Sequence, residues 1–287
     1  MKSPLVIYHA NCLDGFGAAY AAQRYFAQQT DSNCEFLPAS HGDAPPDCTA
    51  RRVFIVDFSY KRPLLERICQ QAEQVTIIDH HVSAAKELEG LEQAYTNLHL
   101  VFDMEQSGAV LTWRYFHQTP PPDLLLHVQD QDLWHFALPD TRDLNAALGS
   151  YAFEFARWDA LVREPAGLAQ LVQEGRAINR YLRQQIEAHK RKAHLGQILG
   201  YRVPIVNCPK VIASQLLHEL AEQQPFAAGY QDQGLDRNWS LRSCAEGADV
   251  AAIAERLGGG GHVHAAGFRT RLPDGLLTIS ALEESPC

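Results

Sequence analysis

The chain has 287 residues, 46 % of them hydrophobic, and its 25 Lys and Arg against 34 Asp and Glu leave a formal net charge of −9. That length suits two cores better than one, and the acidic balance excludes a broad basic surface for duplex nucleic acid, whose affinity comes mainly from many cationic contacts to phosphate. No stretch approaches the roughly 18 apolar residues of a membrane span, and the seven scattered cysteines, odd in number and without a C-x-x-C pair, point away from a disulfide framework or zinc knuckle and toward a reducing compartment.

Leu5 to Tyr8 reads as a short strand, His9 to Gly15 as a polar loop, and the Ala-rich sequence through Phe26 as a helix. His9 and Asp14 therefore fall at the end of a first strand, with Gly15 and Gly17 allowing close backbone approach at the helix start. Cys34 to Ala39 is a second strand candidate, followed by a Pro/Asp-rich loop from His41 to Thr49. Val53 to Val56 is an apolar run that ends in Asp57, and Lys61 to Glu73 has helical spacing through Leu64, Leu65 and Ile68. Val75 to Ile78 then delivers Asp79, His80 and His81 at a strand's carboxyl end. Three apolar strands that end in acid or imidazole, with helical segments among them, predict a doubly wound, mostly parallel sheet with metal ligands along one edge. A carboxylate followed by two histidines can hold a divalent cation, or keep one imidazole for an anionic substrate.

Leu98 to Asp103 is a further strand, and Ser107-Gly108 caps a helix through about Phe116 that Pro120 to Pro122 stops. Leu124 to Trp134 carries Asp130 and Asp132, which composition alone leaves as solvated loop acids. Phe153 to about His194 reads as one connecting helix with an apolar stripe of Leu161, Leu168, Leu171, Ile178, Leu182 and Ile186. Lys190-Arg191-Lys192 near its end reads as a solvated face. The last third alternates strand Tyr201–Asn207, a helix from Pro209 to Gln223, strands Phe226–Gln231 and Trp239–Ser243, and a helix from Ala248 to Leu257. Gly258 to Gly261, followed by His262-Val263-His264-Ala265-Ala266-Gly267, is read as a phosphate or carboxylate cradle: backbone N–H groups cluster round the anion and the small residues start a helix. On composition alone four glycines also describe a linker.

Taken together, His9 to Gly15, Val56-Asp57, Asp79-His80-His81, Asp130 to Trp134, Ser240 to Ser243 and Gly258 to Gly267 resemble, in that order, a DHH-family phosphoesterase with a C-terminal DHHA1 domain. The resemblance spans nearly the whole chain and implies an N-terminal α/β metal-centre domain over 1–185, a helical connector, and a smaller C-terminal α/β substrate-binding domain over 196–287. It implies two ions, normally Mn²⁺ with Mg²⁺ or Co²⁺ as alternatives, held by His9, Asp14, Asp57, His80 and Asp130, with Asp57 bridging and Asp132 the less favoured alternative to Asp130. Asp57, His80 and His81 are the implied catalytic set, with His81 on the scissile phosphate and Asp79 orienting its neighbours. Arg242, Gly259, Gly260, Gly261 and His262 are the implied substrate contacts.

The implied reaction is hydrolysis of a short phosphodiester, a dinucleotide such as pApA or a nanoRNA end, by a hydroxide that two ions activate. The alternatives are a pyrophosphate or polyphosphate hydrolase, and a nucleotide-binding regulatory protein with an impaired centre. The sequence departs from the family in having Cys12-Leu13-Asp14 where many members have Asp-x-Asp, so one ion is expected to bind weakly unless Asn11 or Cys12 substitutes. The remaining expectations are a cytoplasmic location, no membrane or duplex DNA partner, and compatibility with a homodimer.

Overall fold

Strand β1 (Leu5–His9) alternates its side chains between two buried layers. Leu5 and Ile7 join one apolar cluster while Val6 joins another, as the two-residue period of a strand requires when both faces are covered. The same alternation runs through β3 (Arg52–Val56) and β4 (Gln74–Asp79). With β2 (Glu35–Ala39) and β5 (Leu98–Phe102) they form a five-stranded sheet in the order β2-β1-β3-β4-β5, parallel throughout. The computed structural model describes residues 2–29 and 33–272. Its contacts divide the chain into two compact units, one ending at Gln184 and the other beginning at Gln185.

Helix α1 (Leu13–Phe26) lies against one face of the sheet with α5 (Gly108–Phe116), through Ala18, Ala22, Phe26 and Leu111. Its Phe16, Tyr20 and Ala21 look the other way into a helical layer, which explains why α1 is rich in small and apolar residues rather than amphipathic. That layer is built with α6 (Asp123–Asp132), α7 (Thr141–Leu148), α8 (Phe155–Arg163) and α9 (Pro165–Lys190). The opposite face of the sheet is covered by α2 (Arg62–Gln71), α3 (Val82–Leu88) and α4 (Leu91–Ala94), through Leu65, Ile68, Leu88 and Leu91. A Leu or Ile buried this completely stabilises the fold by about 1.5–3 kcal/mol.

Several predicted elements change here. Leu124 to Asp132 is helical, and α7 follows it. The single connector becomes two helices, because Glu164 is extended (φ −116°, ψ 101°), the conformation favoured by a residue that precedes proline. Helix α9 also stops at Lys190, and His194 begins a strand.

In the second unit, β6 (His194–Ile198), β7 (Tyr201–Asn207), β8 (Ala227–Gln233), β9 (Asp236–Arg242), β10 (Gly260–His262) and β11 (Ala265–Arg271) form a mixed sheet ordered β10-β11-β9-β8-β7-β6. Only β7 and β8 pair in parallel among these described strands. Helices α10 (Lys210–Ala221) and α11 (Val250–Glu255) belong to the same unit. The predicted cradle is a hairpin, so no helix follows the glycines. Gly258 and Gly259 donate their N–H groups to Glu255 and Ala254, and Gly260 and Gly261 enter the ladder opposite Gly267 and Ala266. Gly261 has φ +144°, a conformation that L side chains rarely adopt. The glycines therefore serve the hairpin backbone, and the N–H groups of Gly258 and Gly259 are already paired. Residues 273–287, the end of the predicted second domain, lie outside the described residues. No described helix is long and apolar enough to cross a membrane.

Candidate metal centre

The sheet order places a topological switch between β1 and β3, since the chain turns to β2 on one side of β1 and to β3 on the other. Open α/β sheets bind ligands at the carboxyl ends of strands at such a switch. His9 closes β1, Asp57 follows β3, Asp79 closes β4, and His80 and His81 follow it. Asp57 N–H donates to Ile78 O at 2.9 Å, which ties these strand ends together. Asn11 and Asp57 both sit in the left-handed region (φ +53° and +52°), a strained conformation that Asn and Asp tolerate better than most residues.

His80 Nε2 stands among three carboxylates, 3.1 Å from Asp57 Oδ1, 3.5 Å from Asp132 Oδ2 and 3.6 Å from Asp14 Oδ2. Burial works against a charge on His80, yet the Asp57 hydrogen bond and the charges of Asp132, Asp14 and Asp57 lift it to about 10. Burial, with the like charges of Asp57 and Asp132, pushes Asp14 well above the usual carboxylate range. Asp132 is raised too, although its side chain keeps 26 % of its exposure: desolvation by the surrounding groups is the main cause and the charge of Asp57 adds to it. Asp57 moves the other way. Although burial penalises its charge, the His80 hydrogen bond, the approach of the His9 imidazole and the charges of His81 and His80 hold it well below that range.

Asp14 also accepts hydrogen bonds from the N–H groups of Gly108 (2.6 Å) and Ala109 (3.0 Å), so the start of α5 holds it in place. On its other side, Asp57 Oδ2 is 3.5 Å from His9 Nδ1 and makes no hydrogen bond among the described residues, although Asp57 is 2 % exposed. Crowded buried carboxylates and an orphaned carboxylate oxygen are features a divalent cation would relieve. The donors fit such a group: His9, Cys12 and Asp57 form one cluster of ligand atoms within 4.8 Å of one another, and Asp14, His80 and Asp132 form a second.

Asp79 is bonded to both of the histidines that follow it. Its Oδ1 accepts from the His80 backbone N–H at 2.8 Å and lies 2.7 Å from His81 Nδ1. Burial opposes a charge on His81, but the Asp79 charge and hydrogen bond raise it to about 9.

The two aspartates of α6 stand the other way round from the expectation. Asp130 accepts from the backbone of Ala137 (2.8 Å) and Leu138 (3.0 Å) and from Thr141 Oγ1 (2.6 Å). These bonds outweigh burial and lower its pKa. Asp132 instead joins Asp14 and His80. Residues two apart on a helix face different ways, and the sequence carries no signal for which of them turns toward the strand ends.

Two further neighbours were not singled out by the sequence. His41, from the loop after β2, has its ring centroid 5.8 Å from that of His9 and 5.1 Å from that of Phe58. Although His41 is solvent-exposed, desolvation by the groups crowded around its ring and the positive charges of His9 and His81 lower it to about 4. Gly108 is the other, since a Cβ on it would stand 2.5 Å from the Cβ of Asp57.

In the second unit, Arg242 of β9 and His262 of β10 both pair with Ala265 of β11, so the register brings them into one row on one face of the sheet. The Arg242 Nη2 donates to Ser214 Oγ at 2.8 Å.

No protein-family model matches the chain. An uncharacterized protein, R106, of Acanthamoeba polyphaga mimivirus is 29 % identical over 295 aligned residues, covering 92 % of this chain; the chain spans 66 % of that curated relative's length. Among solved structures, the DHH domain of a member of a ribosomal-protein family superposes with a TM-score of 0.64 at 13 % identity, covering 94 % of this chain and 83 % of that one. A pGpG-specific phosphodiesterase from Vibrio cholerae matches at a TM-score of 0.45 and 13 % identity, with 94 % of each chain covered. The 0.64 superposition shows the fold: this chain has the fold of a DHH-domain protein.

Proposed function

We propose that this protein is a divalent-metal-dependent phosphoesterase that hydrolyses short phosphodiesters, dinucleotides or the ends of short RNA fragments. The observation that carries this reading is the posture of Asp57: one oxygen faces His80 and the other His9, so one carboxylate stands between two clusters of ligand-type side chains. His9, Cys12 and Asp57 would hold one ion, and Asp14, Asp57, His80 and Asp132 the other. When bound, a divalent pair supplies Lewis-acid neutralisation of phosphoryl charge and a water of lowered pKa. Carboxylates with imidazoles favour Mn²⁺ over Mg²⁺, which prefers oxygen and retains its water.

The chain's own residues supply the rest. Asp79 fixes the His81 ring and favours its cationic form, which suits His81 to neutralise an anionic phosphoryl oxygen. Arg242 and His262 are proposed to hold the substrate's remote phosphate or base. A net charge of −9 fits a short ligand better than a long polyanion.

The test is hydrolysis of pApA, pyrophosphate and polyphosphate with Mn²⁺, in native protein and Asp57→Asn. Dinucleotide cleavage is expected, with turnover lower by more than about 100-fold in the variant, because metal-ion charge stabilisation is worth several kcal/mol. Cleavage of the phosphoanhydrides alone would replace the diester reading. Normal turnover in a folded Asp57→Asn protein would end the two-ion one.

A further inference from the structure

We propose that Cys12 makes the His9–Cys12–Asp57 cluster a nitrogen–sulfur–oxygen site for a thiophilic divalent cation of the Zn²⁺ class, different in metal preference from the Asp14–His80–Asp132 cluster. This rests on the metal-centre reading proposed above and assigns different ions to its two halves.

Cys12 occupies the N-cap of α1 with extended backbone (φ −130°, ψ 137°), yet its side chain makes no capping hydrogen bond. Ser, Thr, Asp or Asn at an N-cap would stabilise the helix relative to a non-capping residue, so capping does not account for a cysteine here. The thiol is not in a disulfide. Its sulfur and the ligand atoms of His9 and Asp57 all lie within 4.8 Å of one another.

The independent observation is Asp57 Oδ2, an oxygen of a carboxylate only 2 % exposed, with no hydrogen bond among the described residues and directed toward this cluster. A buried carboxylate oxygen whose nearest partner is an imidazole nitrogen at 3.5 Å, too far for a good hydrogen bond, is poorly satisfied, and a cation held by both groups would answer it.

Thiolate and imidazole donors favour Zn²⁺ and its neighbours in the affinity order, whereas carboxylate-rich sets accept Mn²⁺ and Mg²⁺. Three protein donors are also the number that catalytic zinc sites use, leaving a fourth position open. In the binding step the sulfur–metal bond forms as the S–H bond breaks and its proton goes to solvent, with no change of oxidation state. The half of the centre expected to bind weakly then becomes the half that binds a different metal.

The experiment uses the full chain, stripped with a chelator and reloaded with Co²⁺ or Zn²⁺ in the presence of excess Mn²⁺. Native protein is expected to retain one Zn²⁺ per chain through gel filtration and to show a near-ultraviolet sulfur-to-cobalt charge-transfer band. Cys12→Ser, nearly isosteric, should lose the band and the retained Zn²⁺ while keeping its circular dichroism spectrum. Cys12→Asp should lower Zn²⁺ retention and tighten Mn²⁺ by about 10-fold or more, the direction expected when a soft ligand is replaced by a hard one.

A Co²⁺-loaded native protein without the band, or a band unchanged in Cys12→Ser, overturns the proposal. Phosphodiester hydrolysis without the band keeps the phosphoesterase reading and removes the thiolate site. The band without hydrolysis under any metal does the reverse.

Discussion

Gly108 lies so close to Asp57 that a Cβ added to the glycine would stand 2.5 Å from the aspartate Cβ, and 2.9 Å from Oδ2 of Asp14. The first residue of α5 thus forms a wall of the site, and its N–H holds Asp14 at 2.6 Å.

Gly108→Ala is therefore expected to displace Asp57 or Asp14. Overpacking of this kind costs about 1–3 kcal/mol, which urea denaturation of the chelator-stripped protein should register. Calorimetric Mn²⁺ titration should show weakened binding in the same variant. Unchanged affinity and unchanged stability would mean that α5 can retreat without disturbing either carboxylate.

Asp130 and Asp132 should separate stability from metal binding. Asp130→Asn loses charge-assisted hydrogen bonds to Ala137, Leu138 and Thr141, at about 1.5–3 kcal/mol for a charged group. Its denaturation midpoint should fall while Mn²⁺ affinity stays near native. Asp132→Asn should do the opposite, losing affinity without a comparable loss of stability. A metal-binding defect confined to Asp130→Asn would reverse the assignment of the two residues.

The pair Asp79–His81 makes a prediction about pH in the metal-free protein. His81 is raised to about 9, so the folded chain holds a proton that the unfolded chain releases near the ordinary histidine value of about 6.5. That contribution to stability is full below about 6.5 and is lost as pH climbs through the folded value. Asp79→Asn should lower the His81 titration midpoint and flatten this part of the stability profile. Proton NMR of the His81 ring in chelator-stripped protein measures the first effect, and thermal melts across pH measure the second. A midpoint that does not move in the variant would remove Asp79 as the cause.

Arg242 and His262 share a row of the second sheet. Each alanine substitution is expected to lower kcat/KM for a dinucleotide by about 10-fold or more, the loss of one charged hydrogen bond of roughly 1.5–3 kcal/mol. Bis-p-nitrophenyl phosphate, which lacks a remote phosphate, should be hydrolysed nearly as before. Parallel losses on both substrates would make these residues structural or catalytic.

The sequence by itself determined the parallel sheet and the row of acidic and imidazole side chains at its strand ends. Apolar runs such as Val53–Val56 and Val75–Ile78 carry strand identity in a few residues, and each run's end carries its chemistry in the next residue. The period of a strand sets which side chains meet which layer before any long-range contact forms. Asp79's hold on His81, which the resemblance implied, is a contact between residues two apart in the chain and so needs no long-range packing to form.

Only the tertiary structure decided the rest. Asp132 rather than Asp130 reaches His80 because of how α6 is rolled against α1 and α5, a packing outcome that no local pattern encodes. Gly108 matters through Asp57, a residue at the end of a strand far back in the chain, and close packing alone brings the two together. The Gly258–Gly261 run shows the converse: its composition permits a cradle or a linker, and the hydrogen bonds of Gly258 and Gly259 with the pairing of Gly260 and Gly261 make it a hairpin. Backbone freedom is a local property, but the partner that uses it is chosen by the fold.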